Sequence, residues 1–232
     1  MKSIIILILL FLQSSHILAS EEIYLEKAPI DLSDQPSLQK GARTFINYCL
    51  NCHSAKYMRY NKLLDIGLSK KDIKDNLLFT GKKIGDPMEI SMPVSESKKW
   101  FGAAPPDLSV VARSRGSDWI YSYMKGFYRD RSREIGWNNL VYANSAMPHI
   151  LWELQGEQGL DEKTGKLTLM KAGKLNQKEY DAVIADLTNY ITFMSEPDKL
   201  KRKKMGFYAV GFLLLLLLLT IKLKKEFWRD VK

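Results

Sequence analysis

The sequence predicts a mainly α protein with long loops and one C-terminal transmembrane helix. Three observations predict it. Residues 205–221, MGFYAVGFLLLLLLLTI, run without a charge. Apolar residues recur at helical spacing in two well-separated stretches, around 38–46 and 180–194. The chain's only two cysteines, Cys49 and Cys52, directly follow the first stretch in the pentapeptide Cys-Leu-Asn-Cys-His.

The two ends differ. Lys2 precedes an apolar run, Ile4 to Leu12, that suits an export signal and is too short to span a bilayer. Ala19 and Ser20, followed by Glu21 and Glu22, offer a cleavage site, so 1–20 reads as a signal peptide. At the other end, seven consecutive leucines leave no polar face for a buried amphipathic helix. Residues 199–232 therefore read as a membrane anchor with a span of about 205–223, its ends stretched by Lys204 and Lys222 reaching to the headgroups. Five basic residues flank the span on each side, so flanking charge does not orient it. The export signal does: 21–198 is translocated and a short tail stays in the cytoplasm.

The net charge of +9 is misleading until it is divided. Residues 199–232 hold ten basic and two acidic residues, whereas 21–198 hold 24 of each. The excess charge belongs to the anchor, where it meets anionic lipids, and does not argue for nucleic-acid binding. The neutral stretch is long enough for one domain with a real core.

C-x-x-C-H is the signature of covalent haem attachment. Two thiols add across the two vinyl groups on one edge of a porphyrin. The two residues between them let one turn of chain bridge that distance. The next residue, His53, then supplies an imidazole nitrogen to the iron. A thioredoxin-like pair would need a βαβ context, which is missing. A structural zinc site would need more ligands than His16 and His149 offer.

Around the motif, Leu38, Ala42, Phe45 and Ile46 predict a helix capped at Ser37 and running into Cys49. A second helix is expected from about Ser117 to Phe127, with Trp119, Ile120, Tyr123, Met124 and Phe127 on one face. Asn176 and Glu179 form a capping-box pattern. Tyr180, Val183, Ile184, Leu187, Tyr190, Ile191 and Met194 follow it at helical spacing until Pro197. Residues 81–109 read as an extended loop and 155–175 as a surface hairpin. An α domain of this kind, with one helix entering the haem motif and another crossing it, is the arrangement of a cytochrome c-like haem domain. Gly41 and Phe45 resemble the close-contact glycine and aromatic of that fold.

An axial methionine would complete the iron. Met58 is too near His53 to reach the opposite haem face. Met124 and Met194 sit on helix faces, and Met88 and Met170 in weakly ordered polar stretches. Met92 and Met147 remain, each followed by proline, with His149 as a nitrogen alternative.

Four blocks together resemble the cytochrome c1 family, the haem c subunit of ubiquinol–cytochrome c reductase. They are CLNCHSAKYMRYNKL (49–63), APPDLSVVARSRG (104–116), Ala-Met-Pro (146–148) and the single C-terminal span. The chain lacks the acidic run of mitochondrial members and is closer to the compact bacterial form. The resemblance implies one covalent haem c on Cys49, Cys52 and His53, with Met147 as the sixth ligand. It implies that Arg115, with Arg113 as its rival, pairs with a haem propionate. It also implies that the Pro106 carbonyl orients the ring of His53. The implied partners are cytochrome b, a Rieske iron–sulfur protein and a soluble or membrane-bound cytochrome c. The implied place is the bacterial inner membrane, with the haem domain in the periplasm. The chain would not be catalytic alone; it would carry electrons within an oxidoreductase. The alternative is a free membrane-tethered c-type cytochrome delivering electrons to a terminal oxidase.

Overall fold

The structure is a computed structural model that describes residues 24–230. The expected signal peptide, 1–20, lies outside the described residues. Chain order starts with helix α1, Gln35–Thr44, which passes into a wider π-helical turn, Phe45–Cys49. Strand β1, Ala55–Arg59, a 3-10 segment, Tyr60–Ile66, and α2, Lys70–Asn76, follow. Next come β2, Pro87–Met88, α3, Val94–Phe101, α4, Val111–Ser114, and α5, Ser117–Lys125. Three more short elements, β3 (Phe127–Arg129), β4 (Trp137–Asn139) and α6 (Trp152–Gln155), lead to a hairpin of β5, Gly156–Asp161, and β6, Lys166–Ala172. Two long helices end the chain: α7, Gln177–Ser195, and α8, Lys199–Phe227.

The strands form three separate antiparallel pairs, β1 with β2, β3 with β4 and β5 with β6. Phe127, Tyr128 and Arg129 face Asn139, Asn138 and Trp137. Sheet is therefore local bracing, and helix packing makes the core.

The core is built where α1 crosses α7. Leu38, Ala42, Phe45 and Ile46 from one side meet Tyr180, Ile184, Leu187, Tyr190 and Ile191 from the other, all buried. Each large apolar side chain taken fully out of water contributes roughly 1.5–3 kcal/mol. The Phe45 and Tyr190 rings lie 5.6 Å apart. At the crossing stands Gly41: a methyl group there would overlap the Asp186 carbonyl oxygen and stand 2.7 Å from Tyr190 Cβ. The Tyr180 hydroxyl donates to the Met124 carbonyl at 2.9 Å, tying α7 to α5. The capping box of α7 is present, with Asn176 and Glu179 each bonded to the other's backbone.

Residues 24–34 form a strap over these helices. Glu26 N–H donates to Ser122 Oγ at 2.8 Å and Ala28 N–H to Asp118 Oδ1 at 2.8 Å. The Asn189 carboxamide, buried in α7, donates to the Asp31 carbonyl at 2.7 Å and accepts from the Asp31 N–H at 3.2 Å. Lys125 holds Glu26 and Asp181 together with only 10% of its side chain exposed.

Several expectations change. The N-cap of α1 is Asp34, not Ser37; its carboxylate accepts from the Ser37 N–H at 3.0 Å. Apolar spacing begins only at Leu38 and hides the first, polar turn, where Pro36 is tolerated because its missing N–H had no partner to lose. The helix at 117 stops at Lys125, since Gly126 turns the chain and Phe127 enters β3. Within 81–109, Val94–Phe101 is helical, closed by a Lys99–Glu96 pair and ended by Gly102 at φ 74°. Met88 is fully buried rather than loosely placed, and the Tyr190 hydroxyl donates to its sulfur at 3.7 Å. The hairpin expected at 155–175 is β5–β6.

Helix α8 continues through both basic flanks of the uncharged run. Its 29 residues span about 43 Å at 1.5 Å per residue. None of its residues is buried, and it is long and apolar enough to cross a membrane. Its first turn is fastened to the domain by Arg202 and Lys199 on Glu196.

Gly41→Ala should lower the melting temperature of the protein. The helix propensity gained is about 1 kcal/mol. It is outweighed by forcing two backbones apart, a change that costs on the order of 1–3 kcal/mol or more. An unchanged or raised melting temperature would show that the crossing has slack.

Candidate functional site

The π-helical turn widens the end of α1: the Leu50 N–H reaches back five residues to the Phe45 carbonyl at 2.9 Å. The chain then winds once more, with the Cys52 and His53 N–H groups both donating to the Cys49 carbonyl, at 3.1 and 2.8 Å. Cys49, Cys52 and His53 thus occupy a single turn. The two thiols are not joined to each other. Cys49 is buried, and burial, with Cys52 beside it, pushes its thiol up to about 12. Burial also raises Cys52. Both shifts keep the sulfurs protonated at neutral pH.

His53 is fixed from across the chain. Its Nδ1 lies 2.8 Å from the Pro106 carbonyl oxygen. A carbonyl only accepts, so Nδ1 carries the proton and Nε2 keeps its lone pair. Burial holds the ring below its ordinary pKa, opposed by Pro106 and Asp107, and so favours the neutral imidazole that a metal takes.

The block 106–109 runs along the chain that follows His53 without forming a regular ladder with it. Asp107 replaces ladder bonds: one carboxylate oxygen accepts from the Lys56 N–H at 3.0 Å, the other from the Ser109 N–H at 2.8 Å. Ser109 Oγ accepts from the Tyr57 N–H at 3.1 Å. Leu108 N–H donates to the Ser54 carbonyl at 2.9 Å, and Ser54 Oγ accepts from Ile90 N–H at 3.1 Å. No local pattern marks Ser54, Asp107 or Ser109 for these roles. Their spacing carried no catalytic signature; each is a polar side chain standing in for a missing strand neighbour.

Met147 sits in the irregular segment between β4 and α6, partly buried against the core. Two asparagines shape the start of that segment. Asn139 Oδ1 accepts from the Val141 and Tyr142 N–H groups, and Asn138 Oδ1 accepts from the Asn144 N–H. Asn144 takes the left-handed conformation at φ 61°, where asparagine is tolerated. The Met147 N–H donates to Ser145 Oγ at 3.2 Å. Met92, the rival, precedes α3 and is also half-buried.

His149 is turned into an aromatic cluster. Its ring stacks on Phe127 at 4.9 Å and meets the edge of Trp137 at 5.2 Å. It is 1% exposed, and burial drives its pKa down to about 4. Arg115 is exposed at the end of α4, its guanidinium over the rings of Trp119 at 5.3 Å and Tyr142 at 5.9 Å. Among the described residues it makes no ion pair. Arg113 is exposed as well.

The donor set fits a covalent haem: two unbridged thiols and an imidazole with a free nitrogen in one turn, and a thioether held in a loop. Among known proteins, the chain matches the Cytochrome C1 family over residues 24–78 and 80–231. It is 42% identical to the cytochrome c1 of Allochromatium vinosum over 243 aligned residues, covering all of both chains. It is 28% identical to that of Rhodospirillum rubrum over 86% of this chain and 83% of the other. A Nitrosomonas europaea protein named ammonia monooxygenase gamma subunit is 49% identical over 92% of this chain and 91% of its own. The match extends from the strap before α1 through the C-x-x-C-H turn to the apolar final helix, and on it the chain belongs to the cytochrome c1 family.

Proposed function

We propose that this chain accepts one electron from a Rieske iron–sulfur protein and passes it to a cytochrome c, as the haem c subunit of a ubiquinol–cytochrome c reductase. The observation that carries the reading is the His53–Pro106 contact, which frees the other ring nitrogen beside two unpaired thiols. When bound, haem c supplies a one-electron ferric–ferrous couple. Cys49 and Cys52 would hold it through one carbon–sulfur bond each. His53 would give a ring nitrogen to the iron, and Pro106 fixes its tautomer and ring angle. Met147 would give its sulfur to the iron, a soft neutral donor that favours the reduced state and raises the potential. Arg115, its guanidinium over the rings of Trp119 and Tyr142, would pair its N–H fork with a propionate.

The final helix is the anchor in the inner membrane, and the domain 21–198 lies in the periplasm after removal of residues 1–20. Cytochrome b is the integral partner. Purification from native membranes in mild detergent tests the reading: a dihaem cytochrome b and a Rieske protein should travel with the chain. Recovery with a terminal oxidase and neither of those would replace it with the tethered-carrier alternative.

Covalent attachment has its own test. After acid–acetone extraction the red colour should remain with the polypeptide, and Cys49→Ala with Cys52→Ala should release it to the solvent. Colour that extracts from the unaltered chain would refute thioether bonding.

The distal ligand is tested optically. Ferric haem with a bound thioether has a weak far-red absorption band. Met147→Leu should abolish the band, lower the potential and open the iron to carbon monoxide. Loss of the band in Met92→Leu, with survival in Met147→Leu, would move the ligand to the loop before α3.

A further inference from the structure

We propose that Tyr123 and Ser145 are positioning residues that direct the Met147 sulfur, a role that rests on the reading of Met147 as distal ligand. Met147 lies in a segment that belongs to no ladder or helix. One hydrogen bond reaches its backbone, from its own N–H to Ser145 Oγ at 3.2 Å. Ser145 is 3% exposed, and its hydroxyl has a second partner, the Tyr123 hydroxyl at 2.7 Å. Either hydroxyl can donate in that contact, and in both cases Ser145 Oγ keeps a lone pair for the Met147 N–H.

Tyr123 is the fixed end of this chain of contacts. It sits on α5 with its ring stacked on Trp119 at 4.8 Å and set edge-on to Phe127 at 5.0 Å. It also grips the start of the same segment, because its carbonyl accepts from Asn139 Nδ2 at 2.7 Å. The helix thus holds the Met147 segment at two points: the carbonyl holds Asn139 and the hydroxyl holds Ser145.

A buried hydroxyl pair is costly if either partner is lost, and phenylalanine facing alanine would fill much of this space without any polar demand. What the pair adds is direction. It sets the Ser145 oxygen at one place, and that oxygen sets the peptide entering Met147. A thioether is a weak neutral ligand with a flexible side chain, so its hold on iron depends on how far its backbone is already arranged.

The experiment uses the full chain, haem-loaded and in its membrane. Three readings are taken: the ferric far-red band, the rate of carbon monoxide binding to the ferrous protein, and the melting temperature. Tyr123→Phe and Ser145→Ala should each weaken the band and speed carbon monoxide binding about fivefold, the factor that one ordinary hydrogen bond supplies. The double variant should go no further than Ser145→Ala, because both changes act through one oxygen. Lower melting with an unchanged band and gas-binding rate would overturn the proposal, leaving the pair a packing feature. Additive effects in the double variant would overturn the shared route. If Ser145→Ala does not accumulate, Tyr123→Phe, which removes one oxygen and keeps the ring stack, decides alone. Met147→Leu separates the two readings. A band that survives it overturns the ligand assignment and this proposal together. A band lost in it, with wild-type behaviour in both hydroxyl variants, overturns this proposal only.

Discussion

Two helix backbones touch where α1 crosses α7, and most of the domain is arranged around that contact. Gly41 makes it, since any side chain there would meet the Asp186 carbonyl. The close approach brings Phe45 onto Tyr190 and keeps Leu38, Ala42 and Ile46 against Ile184, Leu187 and Ile191. Tyr190 then reaches Met88 beside β1, and Tyr180 reaches the carbonyl of Met124 on α5. The same crossing therefore fixes the start of the Cys49 turn, the strand beyond His53 and the helix under the Met147 segment. Asn189 extends its reach to the strap at Asp31. A polar side chain can lie this deep in α7 because its amide is matched on both the donor and acceptor sides.

The chain beyond His53 shows how a side chain is immobilised from a segment that belongs to no sheet. Pro105 and Pro106 have no amide hydrogen to satisfy and have fixed φ, so the Pro106 carbonyl is a stiff acceptor. The residues after it supply what a strand neighbour would. Asp107 and Ser109 accept from the backbone of Lys56 and Tyr57, and Leu108 returns a bond to Ser54. Removing any one of these would leave a backbone donor short of a partner next to the ligand-bearing turn. The motif is thus read as mechanics: two prolines aim a carbonyl, and an acidic and a hydroxyl side chain pin the segment that carries it.

The parts legible in the sequence were those with a period or a fixed chemical spacing. Residues 180–194 repeat at helical spacing behind Asn176 and Glu179, and α7 starts where that capping pair stands. The 17-residue uncharged run lies inside α8. The first turn of α1 was missed because Gln35 and Pro36 carry no apolar signal, although Asp34 is a strong cap. Helix α3 was missed because its one fully buried residue is Ser97, so no apolar stripe marks it. The polar neighbours of Met88 hide its burial, which only the pairing of β2 with β1 and the arrival of Tyr190 from 102 residues away bring about. Of the site, C-x-x-C-H was plain. Ser54, Asn138, Asn139 and Ser145 were not, because a side chain that satisfies a distant backbone group has no local pattern.

The two segments that carry the proposed haem ligands are built to different stiffness. His53 is the last residue of a wound turn, and its ring is held from across the chain by a carbonyl that several further bonds fix in place. Met147 follows a segment with a left-handed residue and two asparagine-centred turns, and its own backbone is reached through a single serine hydroxyl. Segments held by few bonds open at lower free energy than packed helices. The Met147 segment therefore opens more readily than the wound turn that carries the two thiols and the imidazole. On the proposed reading the arrangement suits an electron carrier: the covalent side would keep the cofactor in the protein, and the more yielding side would set how tightly the reduced state is held.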